Sequence, residues 1–140
     1  RISGLDLGAA AERWSAWQQD EHDWFVKCGP RAQRELRSEI TTDVAGALQE
    51  IARHRLYRDE FAPEFPALLR HRDVAIRRLA CEVLIQIGTS ESGPALAELL
   101  QDGDEAVRDA ALRALRAITG LDLAPDPYLW RNALRRFEVS

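Results

Sequence analysis

Three histidines and one acidic cluster are the residues of this chain best suited by type to proton transfer or metal binding. His22, His54 and His71 lie far apart in the sequence among charged neighbours, and each is interpreted as a surface histidine rather than a ligand or a general base. Residues 20–23 (DEHD) carry enough carboxylates for a divalent cation, but consecutive residues of a helix point to different sides. We therefore interpret this cluster as a solvated helix face and expect no metal site.

The two cysteines do not form a recognisable chemical motif. Cys28 and Cys81 lack the close spacing of a zinc site or a redox pair. Cys81 falls within an apolar helical stretch and is interpreted as a small packed residue, and the sequence gives no support for a disulfide between the two. A phosphate-binding glycine loop, an HExxH motif and a nucleophile elbow are all absent from the sequence. We therefore expect a non-catalytic protein without a cofactor.

Length and composition allow one domain or a short array of repeats. The 140 residues are 46% hydrophobic and 30% charged, and the formal net charge of −4 disfavours a general nucleic-acid binder. No apolar run approaches the ~20 residues that a membrane-spanning helix needs. The chain begins with Arg1 and contains no methionine, so we expect it to be a fragment of a larger protein.

An internal repeat occupies the second half of the chain. Residues 73–87 (DVAIRRLACEVLIQI) align without a gap with residues 104–118 (DEAVRDAALRALRAI), and a weaker copy covers residues 43–56. Apolar residues recur in each copy with the period of an amphipathic helix. Asp73 and Asp104 stand where the N-cap of each helix belongs. The pattern predicts helices that begin at these aspartates.

The complete chain is predicted to be all-α, with about eight helices, no sheet and an antiparallel pairing of neighbouring helices. In the first part, we expect one helix over residues 9–27, a break at residues 28–30 (CGP) and a second helix over residues 30–40. Pro63 and Pro66 are tolerated only near a helix start, so the next regular helix begins around Pro66. Each helix pair leaves an apolar face open that the next pair closes, which is the build of an α-solenoid.

The chain begins and ends with nearly the same phrase. Residues 2–14 (ISGLDLGAAAERW) align without a gap with residues 118–130 (ITGLDLAPDPYLW). In the second copy, Gly120 is expected to end a helix with positive φ, Asp126 to cap a final helix and Trp130 to pack in a terminal cap. The first copy is then expected to be the cap of an earlier array that now serves as an N-terminal cap. Duplication of one cap sequence, without an earlier array, is the competing interpretation.

Two segments of the repeat resemble a known family. The sequences LLRHRDVAIRRLACEVLIQIG (68–88) and LLQDGDEAVRDAALRALRAITG (99–120) resemble HEAT repeats, particularly the short bacterial kind also found in phycobilisome-lyase-like proteins. In that pattern the second helix opens with Asp, a hydrophobic residue and Arg. The matching residues are Asp73, Ile76 and Arg77 in the first copy and Asp104, Val107 and Arg108 in the second. The resemblance implies that the Asp and Arg residues are structural, as a cap and as a bridge between adjacent units. We accordingly divide the chain into N-terminal capping helices (1–42), HEAT-like repeats (43–120) and a C-terminal cap (121–140).

The resemblance also implies a function and a surface for it. Most HEAT proteins are interaction scaffolds whose second helices line a concave face, whereas a minority of similar folds are enzymes, including bilin lyases and alkylpurine DNA glycosylases. Exposed positions of the two best repeats are therefore the candidate partner-binding residues. They are Arg78, Glu82, Ile85, Asp109, Arg113 and Arg116.

The mixed charge of this surface fits a polar protein segment better than a continuous phosphate backbone. The leading interpretation is a non-catalytic protein-interaction scaffold, or a spacer within a longer protein. A lyase-type role, in which the array holds a tetrapyrrole or its client protein, is the first alternative. Nucleic-acid binding through a basic patch is a minor one, and the patch comprises Arg70, Arg72, Arg77 and Arg78. The partner, the oligomeric state and the cellular compartment stay open.

Overall fold

The backbone is helical throughout its regular parts. A computed structural model describes residues 4–139, with side chains described from residue 8 to residue 136. No strand occurs in the described range, and seven helices of five or more residues follow one another there. They are α1 (Gly4–Leu36), α2 (Thr41–Ala52), α3 (Phe65–Leu69), α4 (Val74–Ile87), α5 (Gly93–Leu99), α6 (Glu105–Thr119) and α7 (Pro127–Val139). Three shorter helical turns cover residues 55–64. The prediction of an all-α chain is confirmed.

The count of about eight helices is wrong because α1 is not interrupted. Pro30 lies inside α1, where its ring removes one backbone hydrogen bond of the helix. Packing on both sides of the proline holds the helix together, since Ala32 and Leu36 are buried and Phe25 packs against the same core. Gly29 is buried, and a Cβ there would lie 2.9 Å from the Phe25 ring. Glycine is therefore favoured at position 29 because the Phe25 ring packs closely against it, and not because the helix ends there.

The two best repeats have matching helix ends. The Asp73 carboxylate accepts the Ala75 N–H at 2.9 Å, and the Asp104 carboxylate accepts the Val107 N–H at 3.1 Å. Gly88 ends α4 with φ 68° and Gly120 ends α6 with φ 72°, a conformation that only glycine adopts at little cost. The predicted caps are confirmed. The predicted helix start at Pro66 is also confirmed, because that residue lies in the first turn of α3.

The core lies between successive helix pairs. α2 packs on α4 and α4 packs on α6, while α3 and α5 cover α4 and α6 respectively. The faces that meet carry the buried residues of the predicted apolar stripes, among them Val44, Leu48, Ile76, Ala80, Leu84, Val107, Ala111 and Leu115. Stacking of this kind buries a continuous core without long-range strand pairing.

One arginine in each repeat holds the loop before its own helix. The Arg77 guanidinium donates to the His71 carbonyl at 2.8 Å, and the equivalent Arg108 donates to the Asp102 carbonyl at 2.7 Å. Arg77 also reaches the next repeat, where its Nε lies 2.9 Å from the Asp102 carboxylate. The bridge between adjacent units that the resemblance implied is therefore found at Arg77, whereas Arg108, within the described residues, contacts only the loop of its own repeat.

The segment after α6 folds over the last repeat. Leu121 and Leu123 are half-buried against the core, and the Asp126 carboxylate accepts the Tyr128 N–H at 2.9 Å. Trp130 is fully buried and donates its indole N–H to the Ala124 carbonyl at 2.9 Å. The predictions for Gly120, Asp126 and Trp130 are therefore confirmed.

The two copies of the repeated phrase differ in backbone conformation. Residues 4–7 are helical in α1, whereas the equivalent residues 120–123 lie outside any helix; Ile2 lies outside the described residues. The difference follows from the next positions, where the first copy has Gly8 and three alanines and the second has the sequence APDP (124–127). Alanine favours helix, while the two prolines and the Asp126 cap set a new helix start. The first copy therefore does not reproduce the backbone of the second.

Candidate functional site

The six candidate residues lie along the exposed side of two packed helices. Arg78, Glu82 and Ile85 are on α4, and the other three are on α6, which packs directly against α4. We call the surface that these six residues form the α4–α6 face. All four of its arginine and aspartate side chains are exposed, Glu82 is half-buried, and half-buried Ile85 also contacts the core. The four exposed residues thus point away from the buried stripe of their helices, and Glu82 and Ile85 lie at its border.

Charges on the α4–α6 face are only loosely paired within the chain. Arg78 Nε lies 3.6 Å from the Glu82 carboxylate, one helical turn away, and the two side chains are 55% and 40% exposed. Arg116 differs, because it contacts the Asp122 carboxylate at 3.2 Å and the Leu123 carbonyl at 3.2 Å. An exposed pair of this kind contributes about 0–1 kcal/mol. Arg78 and Glu82 can therefore give up their weak contact with each other to bind charged groups of a ligand. Arg116, in contrast, is already bound to the segment after α6.

A buried thiol lies beneath the same surface. Cys81 is fully buried on α4. Burial raises the pKa of the Cys81 thiol to about 12, with the nearby Asp102 and Glu82 carboxylates adding to the shift and Arg113 opposing it. The thiol is consequently neutral at physiological pH, and a neutral thiol is neither a good nucleophile nor a metal ligand. Cys81 is the packed residue that the sequence predicted.

The exposed surface of the second helices does not continue onto α2, because α1 packs over α2. Glu50 is a half-buried residue of α2, the helix that packs on α4. The Glu50 carboxylate accepts the Trp24 indole N–H at 2.8 Å and pairs with Arg31 at 2.9 Å. Both partners are on α1. A ligand that follows the exposed side of the second helices would therefore meet α4 and α6 but be stopped by α1 at α2.

Two of the four arginines in the predicted basic patch are paired with the next repeat. Arg70 binds the Glu98 carboxylate through two hydrogen bonds of 3.2 and 3.3 Å, and Arg77 is held by Asp102. Arg72 and Arg78 are exposed. This pairing reduces the positive potential that a phosphate backbone would require.

A cluster that the sequence did not predict lies between α1 and residues 54–61. Glu21, expected on a solvated face, is buried, and its carboxylate lies 2.9 Å from His54 Nδ1. The Trp24 ring stacks on the His54 imidazole at 3.8 Å with an interplanar angle of 8°. The surface prediction is therefore wrong for Glu21 and His54, although His22 is exposed as predicted and contacts the Tyr57 hydroxyl at 3.1 Å.

A signal for this cluster is present in the sequence. Trp17, Glu21, Trp24 and Cys28 follow the three-and-four spacing of one helix face, so Glu21 shares the apolar stripe of α1 rather than its polar side. The third histidine, His71, is half-buried, and its Nδ1 accepts the Asp73 N–H at 3.0 Å. Within residues whose side chains are described, no group of three or more His, Cys, Asp or Glu is placed to hold a metal ion.

Comparison with known proteins agrees with this geometry. A family model described as HEAT repeats matches residues 62–127, a segment that runs from the turn before α3 to the start of α7. The chain therefore carries HEAT repeats over this segment, as its sequence predicted. No curated protein matches the chain significantly. HEAT repeats generally mediate protein interactions and are typically non-catalytic. None of the described helices is both long and apolar enough to cross a lipid bilayer.

Proposed function

We propose that this chain is a non-catalytic α-solenoid module that binds a polar segment of a protein partner along the α4–α6 face. The stacking of α2, α4 and α6 supports the solenoid, and in this proposal the α4–α6 face lines its concave side. In this proposal residues 1–42 cap the array at one end, residues 43–120 form the repeats, and residues 121–140 cap the other end. The contacts of α1 with Glu50 and of Trp130 with the last repeat support the two caps.

The charge order on the α4–α6 face is the observation that carries the proposal. On α4, Arg78 precedes Glu82 by one turn, whereas at the equivalent positions of α6 Asp109 precedes Arg113. Positive and negative side chains thus alternate both along each helix and across the two helices. A polyanion would meet two carboxylates on such a surface, but a peptide with side chains of both signs would find complementary partners. Half-buried Ile85 offers an apolar contact beside these charges.

The alternatives have less support on this surface. A lyase-type role requires a carboxylate and aromatic side chains that converge on one pocket, and the α4–α6 face contains no aromatic residue. Nucleic-acid binding through the basic patch would have to use Arg70 and Arg77, which are paired within the chain. A spacer role would require no ligand at all and is the outcome that a failed binding experiment would favour.

Selection from a random peptide library, followed by titration of the selected peptides by fluorescence anisotropy, tests the proposal. Charge reversal of Arg78 and Arg113 to Glu should weaken selected peptides by at least about tenfold, because like charges would then face each other. The matched control reverses Arg34 and Arg58, which are exposed elsewhere and change the net charge equally. Peptides that bind both variants equally would refute the α4–α6 face as the site, and failure to select any peptide would favour a spacer.

A parallel titration with a DNA or RNA oligonucleotide tests the minor alternative. Binding through phosphate contacts should fall steeply as salt rises, with a log–log slope of about −0.7 to −0.9 for each contact. We expect no such binding at physiological salt. Oligonucleotide binding that the Arg72 and Arg78 charge reversals abolish would favour nucleic acid over a protein partner.

A further inference from the structure

A groove at the loop edge of the stack shares no residue with the α4–α6 face. Its volume is about 590 Å³, within the range of about 300–1,000 Å³ typical of ligand sites. One side consists of the end of α1 and the loop that follows it, and the other consists of α3 and the loop before α4. We call it the loop groove, and its lining comprises residues 36–39, Glu64, Ala67, Leu68, His71 and Arg72.

The most deeply placed residues of the loop groove are apolar. Leu36 and Leu68 are 4% and 3% exposed, and both belong to the hydrophobic core. Ala67 is adjacent to Leu68 and is exposed. An apolar side chain of a ligand would cover this carbon surface and displace water from it, which is favourable. The loop groove therefore fits a ligand that has an apolar part.

One ion pair in the loop groove is already complete. The Arg37 guanidinium donates to both oxygens of the Glu64 carboxylate, with Arg37 Nε 3.0 Å from Glu64 Oε2. The Arg37 side chain is 72% exposed, whereas that of Glu64 is 14% exposed. A bidentate pair of this kind leaves no net charge for a ligand. The remaining charges that line the loop groove are those of Glu39 and Arg72, which are both exposed.

Arg72 and His71 supply hydrogen-bond donors to the loop groove. Among the residues whose side chains are described, none forms an ion pair with the Arg72 guanidinium. The His71 Nδ1 accepts the Asp73 N–H at 3.0 Å, so the proton of the neutral imidazole is on Nε2. A guanidinium and an imidazole N–H on one wall are suited to bind a carboxylate.

The backbone of His71 and Arg72 is fixed before any ligand binds. The Arg77 guanidinium donates to the His71 carbonyl at 2.8 Å and to the Arg72 carbonyl at 3.2 Å, and Arg77 is itself held by Asp102. The loop that carries the two donors therefore needs little ordering when a ligand binds. Preorganisation of this kind reduces the entropic cost of association.

The charges of the loop groove favour a single carboxylate over a phosphate. The Glu39 and Glu64 carboxylates line the same groove as Arg72. Both would repel a doubly charged phosphate more strongly than a singly charged carboxylate. Glu39 can also accept a backbone N–H, a donor that a peptide provides and a simple carboxylic acid lacks. The loop groove is therefore complementary to a peptide that carries one carboxylate.

We propose that the loop groove binds a protein segment in which an apolar side chain lies next to an Asp or a Glu. The apolar side chain contacts Leu36 and Leu68, and the carboxylate accepts hydrogen bonds from Arg72 and from His71 Nε2. This contact is independent of the proposed binding along the α4–α6 face, and either can exist without the other. One carboxylate and one apolar side chain form a small interface, so we expect a dissociation constant of about 0.1–1 mM for an isolated peptide.

Titration of the isotope-labelled full chain by heteronuclear NMR tests the proposal. The probe is the capped peptide Gly-Leu-Glu-Gly, and the capped peptide Gly-Leu-Gln-Gly is its neutral counterpart. The Glu peptide should shift the amide signals of residues 36–39 and 67–73. The Gln peptide should bind at least about tenfold more weakly, because it loses the charge-assisted hydrogen bonds. The same spectra show whether each variant is folded.

Three variants make the titration specific for the loop groove. Arg72→Gln removes the charge and should weaken binding of the Glu peptide by at least about tenfold. His71→Asn should weaken it by about three- to tenfold, since Asn keeps an acceptor for the Asp73 N–H but loses the Nε2 donor. The matched control is Arg53→Gln, which removes an exposed charge outside the groove and should bind normally.

Three results would overturn the proposal. One is the absence of shifts at the loop groove with the Glu peptide at about 5 mM, well above the expected dissociation constant. Another is equal binding of the Glu and Gln peptides, or equal binding of the Glu peptide by the unaltered chain and by Arg72→Gln. The third is displacement of the Glu peptide by an equal concentration of inorganic phosphate, which would assign a general anion site.

Discussion

The ion pair between Arg77 and Asp102 joins two successive repeats, and its removal should destabilise the protein strongly. The Arg77 and Asp102 side chains are only 20% and 9% exposed, and Arg77 also donates to the His71 carbonyl. Arg77→Ala leaves the Asp102 carboxylate nearly buried with only the Asp104 N–H as a partner. Loss of one member of a fully buried pair costs about 3–5 kcal/mol. Partial exposure of Arg77 reduces this figure, and we expect a loss of about 2–3 kcal/mol in the free energy of unfolding.

Arg70 provides the matched control for this substitution. It also bridges to the next repeat, but its side chain and that of its partner Glu98 are 57% and 50% exposed. Arg70→Ala should therefore cost only about 0–1 kcal/mol. Urea unfolding followed by circular dichroism measures both losses, and the double variant of Arg77→Ala with Asp102→Asn isolates their interaction. If Arg77→Ala costs no more than Arg70→Ala, the assignment of the buried bridge as the main polar contact between repeats is incorrect.

Further predictions concern five single positions. Trp130→Ala should cost about 3–5 kcal/mol in urea unfolding, because it empties a fully buried site, whereas Trp14→Ala should change the stability of the monomer by less than about 0.5 kcal/mol. Gly88→Ala should destabilise by about 1–2 kcal/mol, since φ is 68° there, while Gly46→Ala in the open interior of α2 should stabilise by about 0.5–1 kcal/mol. The Cys81 thiol should resist alkylation of the folded protein at neutral pH in a mass-spectrometric assay. Because its pKa is about 12 when folded and 9.0 when unfolded, its contribution to stability should be present below pH 9 and be lost as the pH rises towards 12.

The sequence predicted correctly those parts of the fold that depend on interactions between residues close together in the chain. The caps at Asp73 and Asp104 and the positive φ of Gly120 each depend on a few neighbouring residues. The exposed side of α4 and α6 follows from the helical period alone. Pro30 could not be interpreted in this way, because the continuity of α1 depends on contacts with distant segments that a local rule does not include.

The remainder of the candidate site depends on long-range packing. The contact of Glu21 with His54 joins residues 33 positions apart, and the closure of the Glu50 position depends on where α1 lies. Neither can be derived from the spacing of residues within one helix. The commitment of Arg116 to Asp122 similarly depends on how the chain turns after Gly120. The sequence therefore identified exposed residues of the α4–α6 face, but the extent of that face had to come from the structure.

A series of ion pairs joins successive units through residues outside the α4–α6 face. Arginines near the loop edge of each unit bind carboxylates that lie 25–28 residues later, in the next unit. The pairs are Arg37 with Glu64, Arg70 with Glu98 and Arg77 with Asp102. None of these residues belongs to the six of the α4–α6 face, so these contacts between units are separate from the charges that we propose for partner binding. Arg78 is adjacent to Arg77 in the sequence, yet the helix turns them to different sides, one for the stack and one for solvent. Substitutions on the α4–α6 face should for this reason alter partner binding and leave the stacking of the repeats intact.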